Sequence, residues 1–393
     1  MALTVRSAAL FALLGGCGDA APPQDLQDHH ARRLSGALGT ASAVTPLLGL
    51  FTVVARVNDV PTPMLVDTGA PLTFVAPTAS VPRGPQRLRS LGLGDATLFD
   101  VPAVGDDPFG LAPLVGGVLG VNVICQFNAT WDWQRQRFIL GDAPTDVVLT
   151  GAPAVIPFTL RGGGRFVVSG REVAVPPTRI VLSAEVEGVT RALLLDTGAS
   201  TSALRSDLVE AMARDRRSAR LAVTTQDGVV TQRLLRVRTL RVAGIDALGP
   251  AVVGYDADAL ASIAAEVGGP VDGLLGADLL RGHLLTIAYP AGRLTLQAYR
   301  DAGHVRDRWV RAGVLLARAG GAWRVQALLE GTAAAASGLQ TGVAVTAIDG
   351  AALANLDLDA VEGHLVGRVG EVRVLQTAAG AFTLPVEDVV PLP

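Results

Sequence analysis

The feature that most constrains this sequence is an internal duplication. Residues 53–70 read VVARVNDVPTPMLVDTGA and residues 182–199 read LSAEVEGVTRALLLDTGA, and the two segments align without a gap. A second pair, which begins GVLGVNVI at Gly117 and GLLGADLL at Gly273, also aligns without a gap. Such self-similarity indicates two copies of one structural unit. Each copy is expected to run strand, turn, strand, Asp-Thr-Gly, a variable middle, a second motif with a short helix, and a final hairpin.

The composition favours strands. The chain has 393 residues, which is enough for two or three domains, and 49% of them are hydrophobic and 18% charged. Runs of Val, Leu, Ile and Thr recur between Gly and Pro residues, which is the pattern of short strands. The pairs Asn58-Asp59 and Glu187-Gly188 suit hairpin turns with positive φ. We therefore predict a mainly β protein.

The composition also excludes several kinds of chemistry. The chain has no lysine, which rules out Schiff-base catalysis, Ser–Lys dyads and phosphate loops that end in Gly-Lys. Its five histidines form no close ligand set, so we expect neither a metal nor a cofactor. The net charge of −3 gives no electrostatic reason to expect nucleic acid as a partner. Cys125 is interpreted as a small buried hydrophobic residue.

An Asp-Thr-Gly triplet stands at the same place in both copies. Each follows a continuous apolar run, Met64–Val66 or Leu193–Leu195, that suits a strand buried on both faces. The structural alternative is an Asx turn that only ends a strand. If the copies pair about a pseudo-twofold axis, Asp67 and Asp196 come together and share one proton. One carboxylate could then activate water while the protonated one donates to a carbonyl.

These motifs resemble the active-site segments of bacterial retropepsin-like aspartic proteases, over about residues 47–300. The resemblance implies a pseudo-twofold pair of retropepsin-like β-barrel lobes, arranged as in bilobal pepsin, with Asp67 and Asp196 catalytic. It also implies that Thr68 and Thr197 hydrogen-bond to the opposite loop and lock the halves together. The segments that carry it are Asp67-Thr68-Gly69-Ala70, Asp196-Thr197-Gly198-Ala199, Gly117–Gly120 and Gly273–Gly276.

One position departs from that pattern. The residue after Asp-Thr-Gly-Ala is Ser200 in the second copy and Pro71 in the first, where the family often has a hydroxyl. Ser200 is therefore expected to support its loop, whereas Pro71 cannot. The alternative function is a non-catalytic peptide-binding scaffold or sensor with an inactive cleft. Because the linked copies can pair internally, we expect a monomer with an intramolecular pseudo-dimer.

Residues 308–393 are predicted to form a third unit. Residues 333–350, with Gly-Leu-Gln-Thr-Gly before a strand that ends Ile-Asp-Gly, resemble bacterial PDZ domains. The resemblance implies an α+β domain that recruits a peptide or protein by binding a peptide as an added strand. A generic α+β cap without a ligand is the alternative. The candidate peptide-binding residues are Gly313, Val314, Leu315 and Leu316.

The two copies differ most after the Asp-Thr-Gly loop. The stretch from Leu204 to Leu240 is much longer than its counterpart from Val75 to Leu91. It has room for a helix and for a hairpin whose β-branched arms flank Asp-Gly. An ordinary exposed hairpin far from the cleft is the alternative to a flap. We predict one flap over the cleft, with its tip at Gln226, Asp227 and Gly228.

The first residues predict export to the cell envelope. Arg6 precedes an apolar run from Ala8 to Leu14, so residues 1–16 are predicted to be a signal peptide. Leu14-Gly15-Gly16-Cys17 resembles the lipobox of bacterial lipoproteins, which implies that Cys17 is acylated; a plain secretory signal is the alternative. Gly18 gives no reason for inner-membrane retention, so we expect a periplasm-facing outer-membrane lipoprotein. Residues 17–45 are predicted to be a flexible tether, followed by lobes at 46–150 and 151–300.

If Cys17 is the acylated residue, its removal should release the protein from the membrane. Labelled fatty acid should enter the wild-type protein, and Cys17→Ser should abolish the label and leave the protein soluble in the periplasm or unprocessed. The Cys125→Ser variant is the matched control and should keep the label. Wild-type protein without label would contradict the prediction.

Overall fold

The structure is a computed structural model that describes residues 31, 33–39, 41–107, 114–168, 171–225, 228–242 and 245–392. Strands dominate these residues, which confirms the prediction of a mainly β protein. None of the helices within them has the length and apolar character needed to span a bilayer.

The first lobe contains a closed barrel. In order around the ring, β3, β4, β8, β5, β7 and β6 pair with one another, and β6 pairs again with β3. Apolar side chains fill its interior, as expected for strands that alternate inward and outward positions. The elements are β1 (Arg33–Ser35), β2 (Ala41–Leu47), β3 (Leu50–Val57), β4 (Val60–Val66), β5 (Phe74–Val75), β6 (Gly84–Leu93), β7 (Ala96–Gly105), β8 (Gly117–Leu119), α1 (Val121–Ile124), β9 (Asn128–Asp132) and β10 (Arg137–Leu140).

The second lobe repeats this plan with added elements. A hairpin of β17 and β18, together with helices α2 and α3, has no counterpart among the described elements of the first lobe. The elements are β11 (Ala154–Pro157), β12 (Gly164–Val168), β13 (Arg171–Val175), β14 (Val181–Val186), β15 (Val189–Leu195), β16 (Ala203–Arg205), α2 (Ser206–Met212), β17 (Ser218–Thr225), β18 (Gly228–Arg236), β19 (Thr239–Val242), β20 (Ile245–Leu248), β21 (Ala251–Tyr255), α3 (Ala257–Val267), β22 (Gly273–Leu275), α4 (Ala277–Leu280), β23 (His283–Ala288) and β24 (Arg293–Ala298).

Equivalent strands pair in the same way in both lobes. The strand before Asp-Thr-Gly runs parallel to the strand of the second motif, β4 with β8 and β15 with β22. The short strand after the loop then pairs antiparallel with the other side of that strand, β5 with β8 and β16 with β22. Each Asp-Thr-Gly loop therefore leaves the centre of a sheet.

One sheet joins the two lobes. Its strands are ordered β2, β10, β9, β23, β24 and β11, and the lobes meet where β9 pairs antiparallel with β23. Trp131 in β9 lies opposite Leu285 in β23, and both side chains are fully buried. Thr130 and Thr286 share a hydrogen bond of 3.0 Å across the same junction. Apolar residues of both lobes thus form one continuous core.

The predicted boundary between the tether and the first lobe is too late. β1 and most of β2 lie within residues 17–45, which the sequence interprets as a flexible tether. β1 pairs with β7, and β2 pairs with both β3 and β10. These ladders hydrogen-bond the backbone of the segment, so the folded lobe begins before residue 46.

A C-terminal module follows the second lobe and packs against it. Its main sheet is ordered β26, β27, β28, β30 and β31 and has a core of its own. Trp309, Leu329 and Val389 join the apolar core of the second lobe. The elements are β25 (Val310–Arg311), β26 (Val314–Ala319), β27 (Ala322–Leu328), α5 (Ala333–Ala336), β28 (Ala344–Ile348), β29 (Ala351–Ala352), α6 (Leu358–Leu365), β30 (Val372–Thr377), β31 (Gly380–Pro385) and β32 (Glu387–Asp388).

Candidate active site

Each Asp-Thr-Gly loop follows a strand that has a neighbouring strand on both sides, as the apolar runs indicate. The backbone N–H of Asp67 donates to the carbonyl of Leu119 at 3.1 Å, and that of Asp196 to Leu275 at 3.0 Å. Both bonds run to the strand of the second motif. The parallel ladder thereby fixes the point at which each aspartate leaves its sheet.

The threonines of the two loops bond to each other across the lobe boundary. The Thr68 N–H donates to the Thr197 hydroxyl at 3.1 Å, and the Thr197 N–H donates to the Thr68 hydroxyl at 3.0 Å. The hydroxyls in turn donate to the carbonyls of Leu195 and Val66, at 3.0 and 3.1 Å. All four bonds cross between lobes and are buried, so the two loops are held as one unit.

The two aspartate carboxylates face the opposite loops. A Cβ atom on Gly69 would lie 2.6 Å from Asp196 Oδ1, and a Cβ atom on Gly198 would overlap the Asp67 carboxylate. Only glycine permits this approach of backbone to carboxylate. Within its own loop, Asp67 accepts a bond of 2.6 Å from the Gly69 N–H, and Asp196 accepts one of 3.0 Å from the Gly198 N–H.

The two carboxylates are buried and interact. Asp67 is 1% exposed and Asp196 is 0% exposed. Burial raises the pKa of Asp196 well above its usual range, and the charge of Asp67 and a hydrogen bond with it raise that pKa further. Asp196 Oδ2 receives no bond from a donor among the described residues. Because two carboxylates can hydrogen-bond only when one is protonated, the arrangement favours a pair that shares one proton.

The alanines after the triplets anchor the second motifs. The Ala70 carbonyl accepts a bond of 2.8 Å from Val121, and the Ala199 carbonyl accepts one of 2.8 Å from Ala277. Both alanine side chains are buried.

Sequence analysis missed a second pair of polar contacts that supports the loops. In the first lobe the Thr73 hydroxyl lies 3.0 Å from Asn122 Oδ1 and accepts from the Gly120 N–H. In the second lobe the Ser202 hydroxyl lies 2.8 Å from Asp278 Oδ1 and accepts from the Gly276 N–H.

The signal for this contact was present in the sequence. A hydroxyl residue follows both aspartates at one fixed distance, and an Asn or Asp follows both Gly-[Val/Leu]-Leu-Gly motifs at another. The repeat therefore aligns the polar residues of these two positions as well as the aspartates.

Ser200 contacts the chain that enters the C-terminal module. Its hydroxyl accepts a bond of 3.1 Å from Arg308 Nη1. In the first lobe, the equivalent Pro71 accepts a bond from the Asn122 N–H through its carbonyl. The difference between Ser200 and Pro71 thus reflects the C-terminal module, which contacts the second loop through Arg308.

The remaining predicted site residues are only partly described. The hairpin of β17 and β18 forms as expected, with Thr225 paired to Gly228, but Gln226, Asp227 and Cys17 lie outside the described residues. Among the candidate peptide-binding residues, Val314 and Leu316 face the core of the C-terminal module. Leu315 packs against the second-lobe cluster, and Gly313 adopts a positive φ of 68°.

A groove lies beside β26. This strand is at the end of its sheet and pairs only with β27 among the described strands, while α6 packs next to it. The groove encloses about 530 Å³ and reaches the surface of the first lobe. Its lining includes Leu316, Arg318, Leu356 and Leu358 from the module and Leu47 and Val54 from the first lobe.

Comparison with known proteins bears on the second lobe. Residues 182–279 match the family model for aspartyl proteases. The matched segment contains β14, β15, the second Asp-Thr-Gly loop and the second motif. No curated protein matches the chain. The chain is similar to the crystal structure of the aspartic proteinase from Irpex lacteus, with 14% identity and a TM-score of 0.42 over 68% of this chain and 98% of that chain.

Loss of a cross-lobe hydroxyl should weaken the fold. Thr68→Val and Thr197→Val each leave a buried N–H and a buried carbonyl unpaired, so each should lower the free energy of unfolding by about 1–3 kcal/mol. Because both hydroxyls hold the same two loops together, loss of one set of bonds should already weaken the other, so the double variant should cost less than the sum of the single variants. Thr62→Val, at an exposed hydroxyl in β4, should change stability by no more than about 0.5 kcal/mol. Denaturant unfolding of the wild type and these four variants measures the losses, and strictly additive losses would contradict the coupling of the two contacts.

Proposed function

We propose that the protein is an aspartic endopeptidase that hydrolyses peptide bonds through a water activated by Asp67 and Asp196. The single observation that carries this proposal is the reciprocal bonding of the two loops, which holds two interacting buried carboxylates at one point between the lobes. The aspartyl protease match of the second lobe supports it.

The chemistry requires one proton on the pair. The ionised carboxylate takes a proton from water, whose oxygen attacks the scissile carbonyl carbon, while the protonated carboxyl group hydrogen-bonds the carbonyl oxygen. The resulting tetrahedral intermediate breaks its C–N bond when the leaving nitrogen accepts a proton from the pair. Burial and mutual repulsion keep this one proton bound at a pH where an isolated aspartate would lose it.

The C-terminal module is proposed to recruit a peptide or protein. An end strand with an adjacent helix is the arrangement that accepts an extended peptide as an added strand. We further propose that this module is PDZ-like. An acylated Cys17 is proposed to hold the enzyme at the envelope membrane, facing the periplasm. The enzyme acts as a monomer, because each half of its site is supplied by the same chain.

A non-catalytic peptide-binding scaffold is the second candidate function, and the burial of both carboxylates favours it. The two candidates differ in what Asp196→Asn changes, because an endopeptidase would lose its cleavage of peptides and a scaffold would have no cleavage to lose. Binding of a peptide library in the absence of any wild-type cleavage would favour the scaffold.

Removal of either carboxylate should abolish the proposed activity. Asp67→Asn and Asp196→Asn should each lower peptide cleavage by about 10²–10⁴-fold or more, because the mechanism needs both groups. Neither variant should melt below the wild type, since each relieves the repulsion between two buried acids. The exposed Asp59→Asn is the control and should keep full activity. Near-normal turnover by either dyad variant would contradict the assignment.

The β17–β18 hairpin is proposed to close over bound substrate as a flap. Deletion of residues 225–229 should raise KM and lower kcat, because a lid fixes the peptide and excludes water. The fold should persist, since β17 pairs only with β18 among the described strands. Shortening the β30–β31 turn, which is remote in sequence and lies in the C-terminal module, is the control. Unchanged peptide cleavage after the deletion would show that the hairpin is no flap.

A further inference from the structure

A buried arginine links the second lobe to the active-site loop of the first. Arg179 lies between β13 and β14 and is 0% exposed. Its Nη1 donates to the carbonyl of Gly69, in the Asp67 loop. Its Nε and Nη2 donate to the carboxylate of Glu266 in α3, at 3.2 and 3.4 Å. One guanidinium thus connects a helix of one lobe to the catalytic loop of the other.

The charge of Arg179 acts on Asp196. It lowers the pKa of Asp196, whereas burial and Asp67 raise it. A buried cation is costly unless an anion pairs with it, and Glu266, whose side chain is only 5% exposed, is that partner. The ion pair allows a positive charge to remain beside the dyad in the dry interior.

The first lobe has no such charge at the equivalent position. Thr52 pairs with Leu65 in the first lobe as Val181 pairs with Leu194 in the second. In this register, the position of Arg179 in the second lobe is equivalent to that of Leu50 in the first. Leu50 is buried in the apolar core. At this pair of equivalent positions, the fold therefore has a cation in the second lobe and an apolar side chain in the first.

We propose that Arg179 is a positioning residue of the dyad, which fixes the Gly69 end of the first loop and favours the state of the pair with one negative charge. The proposal rests on the proposed peptidase function. Arg179 acts through the loop backbone and through its field and does not itself carry a proton in the reaction.

The other groups around the dyad leave few sources of pH dependence. Burial raises the pKa of both phenols that face it, Tyr255 in β21 and Tyr289 after β23, so both stay protonated. Burial also raises the pKa of the Cys125 thiol to about 11. Asp256 faces Tyr255 and caps α3 through the Ala259 N–H, at 2.7 Å. Glu266 is bonded directly to Arg179.

The direction of the effect follows from the sign of the charge. The active pair carries one proton, so activity falls below its lower apparent pKa and above its upper one. A nearby cation stabilises negative charge and lowers both values. Without Arg179, both limbs of the pH profile should move to higher pH. Without the charge of Glu266, the cation acts unopposed and both limbs should move to lower pH.

The test measures kcat/KM against pH for peptide cleavage by the full chain. Arg179→Gln should shift both limbs upward by about one pH unit, and Glu266→Gln should shift them downward. The double variant should fall between Arg179→Gln and the wild type, because it also removes the repulsion from Glu266. Arg179→Lys keeps the charge and should keep the profile, with a lower kcat from the loss of the planar contact. Arg216→Gln, which breaks an ion pair with Glu187 in the β14–β15 turn, is the matched control and should shift nothing.

A purely structural role predicts a different result. It would lower kcat in Arg179→Gln and Glu266→Gln without moving the limbs, or would move both in one direction, and either outcome overturns the proposal. If Arg179→Gln fails to fold, the downward shift in Glu266→Gln still decides the question.

A titration separates this proposal from the peptidase function. The carboxyl carbons of ¹³C-labelled aspartate can be followed by NMR, with Asp196→Asn to assign the pair, whether or not any peptide is cleaved. A wild type that cleaves nothing would remove the proposed function, and opposite titration shifts in the two variants would still support Arg179. Cleavage with unshifted titration would keep the function and remove Arg179.

Discussion

The reciprocal hydrogen bonds of Thr68 and Thr197 are the contact on which the candidate site depends. Each hydroxyl accepts from the opposite backbone and donates to the opposite strand, so neither lobe can complete its own loop alone. Two buried carboxylates repel one another unless they share a proton, and that repulsion would push the lobes apart. The threonine bonds and the joint sheet of β9 and β23 oppose it. The fold thus keeps the two carboxylates close even when both are ionised.

The two lobes differ where the second lobe contacts the C-terminal module. Asp278 and Arg281 of the second lobe occupy the positions of Asn122 and Cys125 in the first, so a neutral pair has become a charged one. Burial raises the pKa of Asp278, and the nearby charge of Arg281 opposes that rise. This charged side of the second lobe is where Arg308 reaches Ser200. Contact with the C-terminal module accounts for the asymmetry of the repeat at this end.

The sequence predicts the parts of the site that are repeated and local. The apolar runs before both triplets and the two Gly-[Val/Leu]-Leu-Gly segments predict the strands, and their spacing places both aspartates at strand ends. Arg179 could not be found in this way, because its burial depends on Gly69 and Glu266, which are distant in sequence. β2 was missed for the same reason, since its partners β3 and β10 and not its composition make it a strand. Composition does not show which residues pair when they are distant in sequence.

Access to the carboxylates cannot come from separation of the lobes. The threonine bonds, the joint sheet and Arg179 all cross the boundary, and each would have to break at once. Movement should instead occur at the edge of a sheet, where a strand has a neighbour on one side only. β17 lies at the end of the nine-stranded sheet and pairs only with β18 among the described strands. The rest of the hairpin can therefore open while Leu234–Arg236 of β18, which pair with β21, keep their place. As the proposed flap, this hairpin would admit an extended peptide while the threonine bonds keep the two loops in place.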